Sequence, residues 1–411
     1  MAGDGPPVPT LVGWRRGIGS LRSRDFRWYF AGTFLSFISM QMAQLVQSFL
    51  AFDLTGSELA LGAIWSSSAI PMLIFSPFGG VIADRVDKRK LLIITQSISL
   101  LLTAVIGLLI FLDALRYWHL MAVAILGGMV FPFNMPARQA YLVEIVGQKN
   151  LMNAIALSSG SMNITRIAGP SIAGLLAAVI GNEGVYAIIV AINAMVILTL
   201  FKLPSIGLME LRLPKRFDRA FWEGVMYIWQ RPLVLSLMIV ALVPMLFAMP
   251  SMALMPVFAH NWGIGEGGLG ILFAVPGIGG MIGAIFIAYL AEMRRKGMLI
   301  VCSGIAYGLC ILFFALSPTF ALALIPLAIM GMAQIGSQAV NMSLIHHHIG
   351  DEVRGRVMSV WMMSFGLMPL GVLPATALAK SIGAEWAVGI GGVGIVLVMV
   401  GALFVPRVRN A

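Results

Sequence analysis

The chain has 411 residues, of which 59% are hydrophobic and only 11% are charged. Soluble domains carry about 25% charged residues, so this composition excludes a soluble globular protein and indicates an integral membrane protein. The net charge of +10 does not indicate nucleic-acid binding, because the basic residues lie in short clusters between long apolar stretches.

Apolar stretches of about 20 residues, the length that crosses a bilayer as a helix, recur along the whole chain. They predict twelve transmembrane helices, at roughly 26–51, 60–83, 91–112, 117–137, 151–180, 184–203, 233–258, 268–290, 298–316, 320–343, 357–379 and 386–405. The stretches lack the two-residue alternation of membrane β-strands. The predicted fold class is therefore an all-α integral membrane protein with two pseudo-symmetric bundles of six helices.

A polar stretch divides the predicted helices into two groups. The predicted parts are a cytoplasmic N-terminal segment at 1–25, a first bundle at 26–203, a cytoplasmic linker at 204–232, a second bundle at 233–406 and a cytoplasmic tail at 407–411. Apolar residues recur at helical spacing in the linker, at Phe217, Phe221, Val225 and Ile228. This spacing predicts an amphipathic helix on the membrane surface, and an irregular polar tether is the alternative.

The basic residues indicate which side of the membrane each loop faces. Arg116 and Lys380 fall in loops on one side, Arg166 falls within a helix, and the other Lys and Arg residues fall on the side of the N-terminus. Because cytoplasmic loops carry an excess of Lys and Arg, this distribution predicts that both termini are cytoplasmic.

The loop between the second and third helices carries the most specific pattern in the chain. Its residues 79–90 read Gly-Gly-Val-Ile-Ala-Asp-Arg-Val-Asp-Lys-Arg-Lys. An ordinary cytoplasmic loop would explain the basic cluster, but not the Gly-x-x-x-Asp-Arg spacing. The pattern resembles the signature loop of the major facilitator superfamily, and the residues that match are Gly80, Asp84, Arg85, Arg89 and Lys90.

The resemblance covers the whole chain, with its predicted helices and its central linker. It implies a transporter in which this loop forms a cytoplasmic gate, with Asp84 meeting the start of helix eleven. Asp87 departs from the family pattern because it replaces a glycine. The predicted gate residues are Gly80, Asp84, Arg85, Arg89, Lys90, Arg138, Arg354 and Arg356.

Five further segments, at 54–57, 136–140, 153–157, 166–170 and 354–358, together with Asn163, are similar to one bacterial branch of this superfamily. That branch contains the enterobactin exporter and related drug-efflux carriers. Gly169, Pro170 and Gly174 also partly match the fifth-helix motif associated with antiporters, although Thr165 replaces one of its upstream glycines. The resemblance implies efflux by antiport.

Polar side chains recur on one face of three predicted helices. The predicted lining of a central cavity is Gln41, Gln44 and Ser48 in helix one, Ser159, Asn163 and Arg166 in helix five, and Gln334, Gln338 and Asn341 in helix ten. Polar residues in membrane helices also form hydrogen bonds between helices, and this interpretation stays open for each stripe.

Arg166 is the single charge predicted near the middle of the bilayer. An arginine there costs at least ~2.5–3.5 kcal/mol on insertion scales, so we expect it to face a wet cavity or a partner. No Asp or Glu residue is predicted deep in a helix, so no fixed counter-ion is evident. The partner is either an anionic group of the substrate or a set of carbonyls, glutamines and water around a structural arginine.

These features predict a secondary active transporter and not an enzyme. We expect proton-coupled efflux of small amphiphilic molecules, drug-like or siderophore-like, by a monomer in the bacterial inner membrane. No cofactor, metal site or nucleic-acid partner is predicted. Proton coupling would use Asp53, Asp84, Glu144 or a protonatable substrate. The alternatives are a lipid or lysolipid flippase, a facilitated uptake carrier, and a non-transporting receptor or scaffold.

Overall fold

A computed structural model describes residues 19–205, 217–290, 296–349 and 364–409, together with residues 353, 357, 360 and 361. Almost all of these residues are helical, and no β-strand occurs among them. The predicted gate residues Arg354 and Arg356 lie outside the described residues, as does the middle of the linker at 206–216.

The first half is built from six long helices. The first three are α1 (Arg24–Thr55), α2 (Glu58–Arg85) and α3 (Lys88–Phe111). A helical segment then runs from Tyr117 to Phe201, but Gly147 and Gly181 interrupt it with φ angles of 65° and 72°. Glycine adopts such angles without the steric cost that a side chain adds. These two residues therefore divide the segment into α4 (117–146), α5 (148–180) and α6 (182–201).

The linker and the second half continue the alternation of long helices and short turns. The linker helix α7 (Phe217–Gln230) leads into α8 (Pro232–Ala253), and α9 (Met255–Asn261) continues α8 beyond Leu254. The remaining helices are α10 (Gly265–Leu290), α11 (Lys296–Ala315), α12 (Phe320–His348), α13 (Met368–Ile382), α14 (Ala384–Leu403) and the short α15 (Pro406–Arg409).

The length and composition of the helices agree with the predicted membrane architecture. Among the described residues, 10 helical segments are long and apolar enough to cross a membrane, and α13 is a shorter apolar helix. One of these segments, Asn150–Phe201, is divided by the break at Gly181. The all-α membrane fold class is confirmed. The count of twelve helices stays a prediction, because the expected start of helix eleven near 357 lies largely outside the described residues.

The linker helix α7 lies where the apolar spacing predicts a helix. Ile228, however, is 6% exposed and packs into the core of the bundle, so it does not face the membrane surface as the amphipathic prediction implies. The side chains of Phe217 and Phe221, two other members of that predicted face, lie outside what the structure describes.

Helices pack most closely at glycines, and in each half such a contact joins the same two spans, counted from the start of that half. A Cβ added to Gly79 of α2 would lie 1.9 Å from the carbonyl oxygen of Pro132 in α4. A Cβ added to Gly331 of α12 would lie 1.7 Å from the carbonyl oxygen of Pro276 in α10. When α8 and α9 are taken as one span, these are the second and fourth spans of each half. The packing therefore follows an internal repeat.

The two halves contact each other near one end of the bundle, which we name the distal face. It lies where α1 ends and α10 begins, and the proximal face lies at the other end, where α1 begins. At the distal face the rings of Phe52 in α1 and His260 in α9 lie 5.5 Å apart between centroids. A Cβ added to Gly62 of α2 would lie 2.0 Å from the Thr376 hydroxyl of α13, so the halves pack closely there as well.

We expect Gly128→Val to destabilise the protein. A Cβ at Gly128 would lie 2.2 Å from the carbonyl oxygen of Ser68, which is backbone of α2 and cannot rotate away. Overpacking of this kind costs about 1–3 kcal/mol. The neighbouring Gly127 has open space around its Cβ position, so Gly127→Val is a matched control. The melting temperature of the purified protein should fall for Gly128→Val only, and equal melting temperatures would contradict the close packing of α2 on α4.

Candidate functional site

Asp87 anchors the loop between α2 and α3 at the proximal face. One of its carboxylate oxygens accepts a hydrogen bond from the Lys90 amide at 3.2 Å, which caps α3, and the other accepts one from the Ser205 hydroxyl beyond α6. Partial burial raises the pKa of Asp87, but these hydrogen bonds, one more from the Arg89 amide and the charge of Lys90 outweigh it and hold the pKa below its ordinary value. In the sequence, the only indication that Asp87 anchors the loop is its position directly before a helix.

Two basic residues of the same loop are tied to other helices of the first half. Arg89 donates to the carbonyl oxygens of Leu200 and Phe201, at 3.1 and 2.7 Å, where the last carbonyls of α6 lack partners within their helix. The Lys88 ammonium lies 2.7 Å from a carboxylate oxygen of Glu144 and joins the start of α3 to the end of α4. These contacts fix the loop on its own half.

The other predicted gate residues of this loop are less constrained. Arg85 and Lys90 are exposed, and Gly80 has open space around its Cβ position. The side chain of Asp84 lies outside what the structure describes, as do its expected partners at the start of helix eleven. The latch formed by Asp84 therefore stays a prediction.

The predicted gate residue Arg138 lies inside the first bundle, where it is 3% exposed. Its guanidinium donates to Asn134 Oδ1 at 2.7 Å, to Thr33 Oγ1 at 2.9 Å and to Gln96 Oε1 at 3.4 Å. Gln96 in turn donates to Asn193 Oδ1 at 2.7 Å. This cation thus joins α1, α3, α4 and α6 through neutral oxygens, as a buried charge in a membrane requires.

Arg166 lies in a different environment on α5. Ser159, Asn163 and Arg166 form an exposed polar stripe along one face of this helix. Arg166 makes no hydrogen bond or salt bridge with any described residue. Its charge interacts electrostatically with the phenol of Tyr307, which belongs to α11 in the other half. Among the described residues, the guanidinium therefore has no hydrogen-bonding partner.

The glutamines of α1 lie beside this stripe. A Cβ added to Gly169 of α5 would lie 2.5 Å from the Cβ of Gln41, so α1 and α5 are in contact three residues beyond Arg166. Gln41 is half-buried and Gln44, one turn further along α1, is exposed. The structure thus brings the predicted stripes of helices one and five together.

Two predicted cavity residues serve helix packing and are not on an open surface. Ser48 is buried, and its hydroxyl donates to the carbonyl oxygen of Gln44 at 2.9 Å. Asn341 is 4% exposed, and its amide donates to the carbonyl oxygen of Leu237 at 3.1 Å, which joins α12 to α8. On the same helix, Gln334 is half-buried and Gln338 is exposed. The alternative of hydrogen bonding between helices therefore describes Asn341, whereas the bond of Ser48 stays within its own helix α1.

The motif on α5 forms the contact with the second half near the distal face. A Cβ added to Gly174 would lie 2.7 Å from the Cα of Gly270 in α10, and one added to Gly270 would lie 3.1 Å from the carbonyl oxygen of Pro170. Asn182 donates to a carboxylate oxygen of Glu266 at 2.7 Å, a hydrogen bond that joins the two halves. The sequence did not single out Asn182 or Glu266.

The polar stripe on α5 lies on the proximal side of these contacts. Ser159, Asn163 and Arg166 precede Gly169 and Gly174 along a helix that begins at the proximal face. They are exposed, and Gly160 among them has open space around its Cβ position. The arrangement is that of two halves closed at the distal face, with a cation and amide groups accessible between that closure and the proximal face. Within the described residues no group of three or more His, Cys, Asp or Glu residues could hold a metal ion.

Comparisons with known proteins agree with this architecture. Macrolide efflux protein A of Streptococcus pyogenes is 25% identical over 394 residues, which cover 94% of this chain and 96% of that protein. The enterobactin exporter EntS of Escherichia coli is 27% identical over 404 residues, covering 94% and 95%. The staphyloferrin A transporter of Staphylococcus aureus is 25% identical over 392 residues, covering 93% and 96%.

The fold and the family follow from two further comparisons. The crystal structure of the nucleoside transporter NupG superposes with a TM-score of 0.74 over 93% of this chain and 100% of that one, at 13% sequence identity, which shows a shared fold. The family model described as transmembrane secretion effector matches residues 16–410. The chain therefore belongs to the transmembrane secretion effector family of the major facilitator superfamily of transporters.

Proposed function

We propose that this protein exports small amphiphilic molecules that carry a negative charge, by proton-coupled alternating access across the bacterial inner membrane. The observation that carries the proposal is the exposed guanidinium of Arg166, which makes no hydrogen bond or salt bridge with a described residue. A cation within a membrane needs water or a partner, and an anionic group of the substrate is such a partner. Gln41, which lies against Gly169 one turn beyond Arg166, supplies an amide group for further hydrogen bonds.

The direction of transport is proposed from the relatives and from the distribution of charge. Proteins named for macrolide efflux and enterobactin export match this chain over nearly its whole length. The clusters of Lys and Arg on the side of the N-terminus support a cytoplasmic proximal face. With that orientation, the polar stripe of α5 is accessible from the cytoplasm, where a substrate for export is taken up.

Alternating access and proton coupling are proposed from the contacts of α5. Gly169 packs against α1, whereas Pro170 and Gly174 pack against α10 of the other half. These residues partly match the helix-five motif associated with antiporters. Opening the distal face requires these contacts between the halves, and the hydrogen bond from Asn182 to Glu266, to separate. A proton gradient is the driving force that we propose for this cycle.

We expect Arg166→Gln to reduce transport of an anionic amphiphile by roughly 10- to 100-fold, because a hydrogen bond to a charged group contributes about 1.5–3 kcal/mol. The measurement is uptake into everted membrane vesicles with an imposed inside-acid gradient, with anionic, cationic and neutral amphiphiles compared. A protonophore should abolish uptake of the preferred substrate by the wild-type protein.

The matched control for that substitution is Arg116→Gln, which removes an exposed arginine from the distal loop before α4. Its uptake should equal that of the wild-type protein. Equal uptake of the anionic amphiphile by Arg166→Gln and wild type would show that Arg166 does not bind substrate. Uptake that is insensitive to the gradient would show that protons are not the coupling ion.

We expect a covalent link between the halves at the distal face to stop transport. Cysteines at Asn182 and Glu266, joined by a short thiol-specific cross-linker, would hold in place the contact that now forms at 2.7 Å. The native Cys302 and Cys310 would first be replaced by serine and alanine. Cleavage of the linker should restore uptake, and each single-cysteine variant should be unaffected by the reagent. Unchanged uptake by the linked protein would contradict alternating access.

We expect Asp84→Asn to impair transport and Asp87→Ala to impair the stability of the protein. Asp84→Asn should lower uptake without lowering the amount of protein in the membrane, as a gate residue would. Asp87→Ala should lower the amount or the melting temperature of the protein, because it removes a helix cap and the bond to Ser205. Wild-type uptake by Asp84→Asn would overturn the gate assignment.

A further inference from the structure

A second cavity, separate from the polar stripe of α5, lies between the two halves. It has a volume of about 330 Å³, and its described walls come from α2, from α7 and α8, and from Val360, Trp361, Ser364 and Leu367. Pockets that bind small molecules start at about this size. None of the predicted substrate-cavity residues lines it. Its function is therefore a separate question from that of Arg166.

The walls of this cavity suit a hydrocarbon chain and not a polar solute. Apart from Ser364 and the indole of Trp361, the described residues of its lining are aliphatic residues and methionine. The Ser364 hydroxyl already donates to the carbonyl oxygen of Trp361 at 2.6 Å. The cavity therefore offers a ligand little hydrogen bonding and a large apolar surface.

The depth of the cavity corresponds to one leaflet of a bilayer. Its residues on α8 run from Leu235 to Leu242, and α8 begins at Pro232 on the proximal face. At 1.5 Å per residue the deepest of them lies about 15 Å from the start of the helix. The hydrocarbon core of a bilayer is about 30 Å thick, so the deepest lining residue lies about half-way across it from the proximal face.

An exposed cation lies next to the proximal end of the cavity. Arg231 connects α7 to α8, between the lining residues Ile228 and Leu235, so it is within about one helical turn of both. Its guanidinium carbon lies 5.4 Å from the centre of the Tyr227 ring, which holds it by a cation–π contact. Among the described residues Arg231 forms no salt bridge. A positive charge that forms no salt bridge with a described residue thus lies in the chain between two residues that line the cavity.

The outer surface of α7 shows what surrounds this end of the cavity. Trp222, Met226 and Trp229 are 66%, 57% and 70% exposed and recur at positions i, i+4 and i+7, so they form one apolar stripe. Tryptophan is enriched where membrane proteins cross the headgroup region of a bilayer. The stripe lies on the side of α7 away from the buried Ile228. Such a stripe is typical of a helix at headgroup level, and α8, which lines the cavity, continues the chain from the end of α7.

We propose that this cavity binds one acyl chain of an anionic phospholipid from the proximal leaflet, whose phosphate is held by Arg231. The chain fills the apolar space between the halves, and the headgroup remains at the level of α7. The proposal rests on the membrane location of the protein and not on its transport substrate.

The test is native mass spectrometry of the purified protein after incubation with equal amounts of phosphatidylglycerol and phosphatidylcholine. The wild-type protein should retain one phosphatidylglycerol in preference to phosphatidylcholine. Leu242→Trp, which fills the cavity, and Arg231→Gln, which removes an exposed charge, should each lower this retention by about tenfold or more. Arg231→Gln changes only a surface residue, so it tests the site even where the larger side chain prevents folding.

Two matched controls carry the same substitutions at other places. Leu397→Trp alters an exposed position on α14, and Arg116→Gln removes a cation at the distal face, so both should retain the lipid as the wild type does. Phosphatidylglycerol should also raise the melting temperature of the wild type but not of Arg231→Gln, because a ligand stabilises only the state that binds it. Equal retention by Arg231→Gln and wild type, or equal retention of the two lipids, would overturn the proposal.

Discussion

Every polar group within a bilayer must find a partner inside the protein or in a water-filled cavity. Two arginines of the first half meet this requirement in different ways. Arg138 donates three hydrogen bonds to side-chain oxygens from α1, α3 and α4, so the bundle itself satisfies it. Arg166 is exposed and has no such bond with a described residue. One cation therefore holds the first bundle together, and we propose the other as the group that meets the substrate. The remaining features of the site are arranged around this second arginine.

Helix α5, which carries Arg166, packs against helices of both halves of the molecule. Gly169 brings α5 into contact with α1 of the first half. Gly174 brings α5 into contact with α10 of the second half. A side chain at either glycine would collide with neighbouring atoms at less than 3 Å. The two glycines therefore allow one helix to belong to the packing of the first half and to form the junction with the second.

The sequence predicts the membrane helices, but it leaves open whether Arg166 meets substrate or structural partners, and it does not separate exposed polar residues from those that pack. Helical spacing places Ser48 and Asn341 on the same faces as the exposed glutamines, yet both are buried and bonded to carbonyl oxygens. Which neighbour a face meets depends on how distant segments assemble, and spacing within one helix does not contain that information. The same reason applies to Asp87, whose partner Ser205 is 118 residues away, and to Asn182 and Glu266 in different halves.

The two sites respond to the same motion in the proposed cycle. Arg166 and Gly174 are eight residues apart on one helix, about 12 Å, so a movement that separates Gly174 from α10 also reorients Arg166. The apolar cavity has walls from both halves, with Leu73 on α2 and Leu235 on α8, so the same movement changes its shape. A ligand favours the conformation to which it binds more tightly. An acyl chain in that cavity would therefore stabilise the state described here, closed at the distal face, in which Arg166 is accessible from the proximal side.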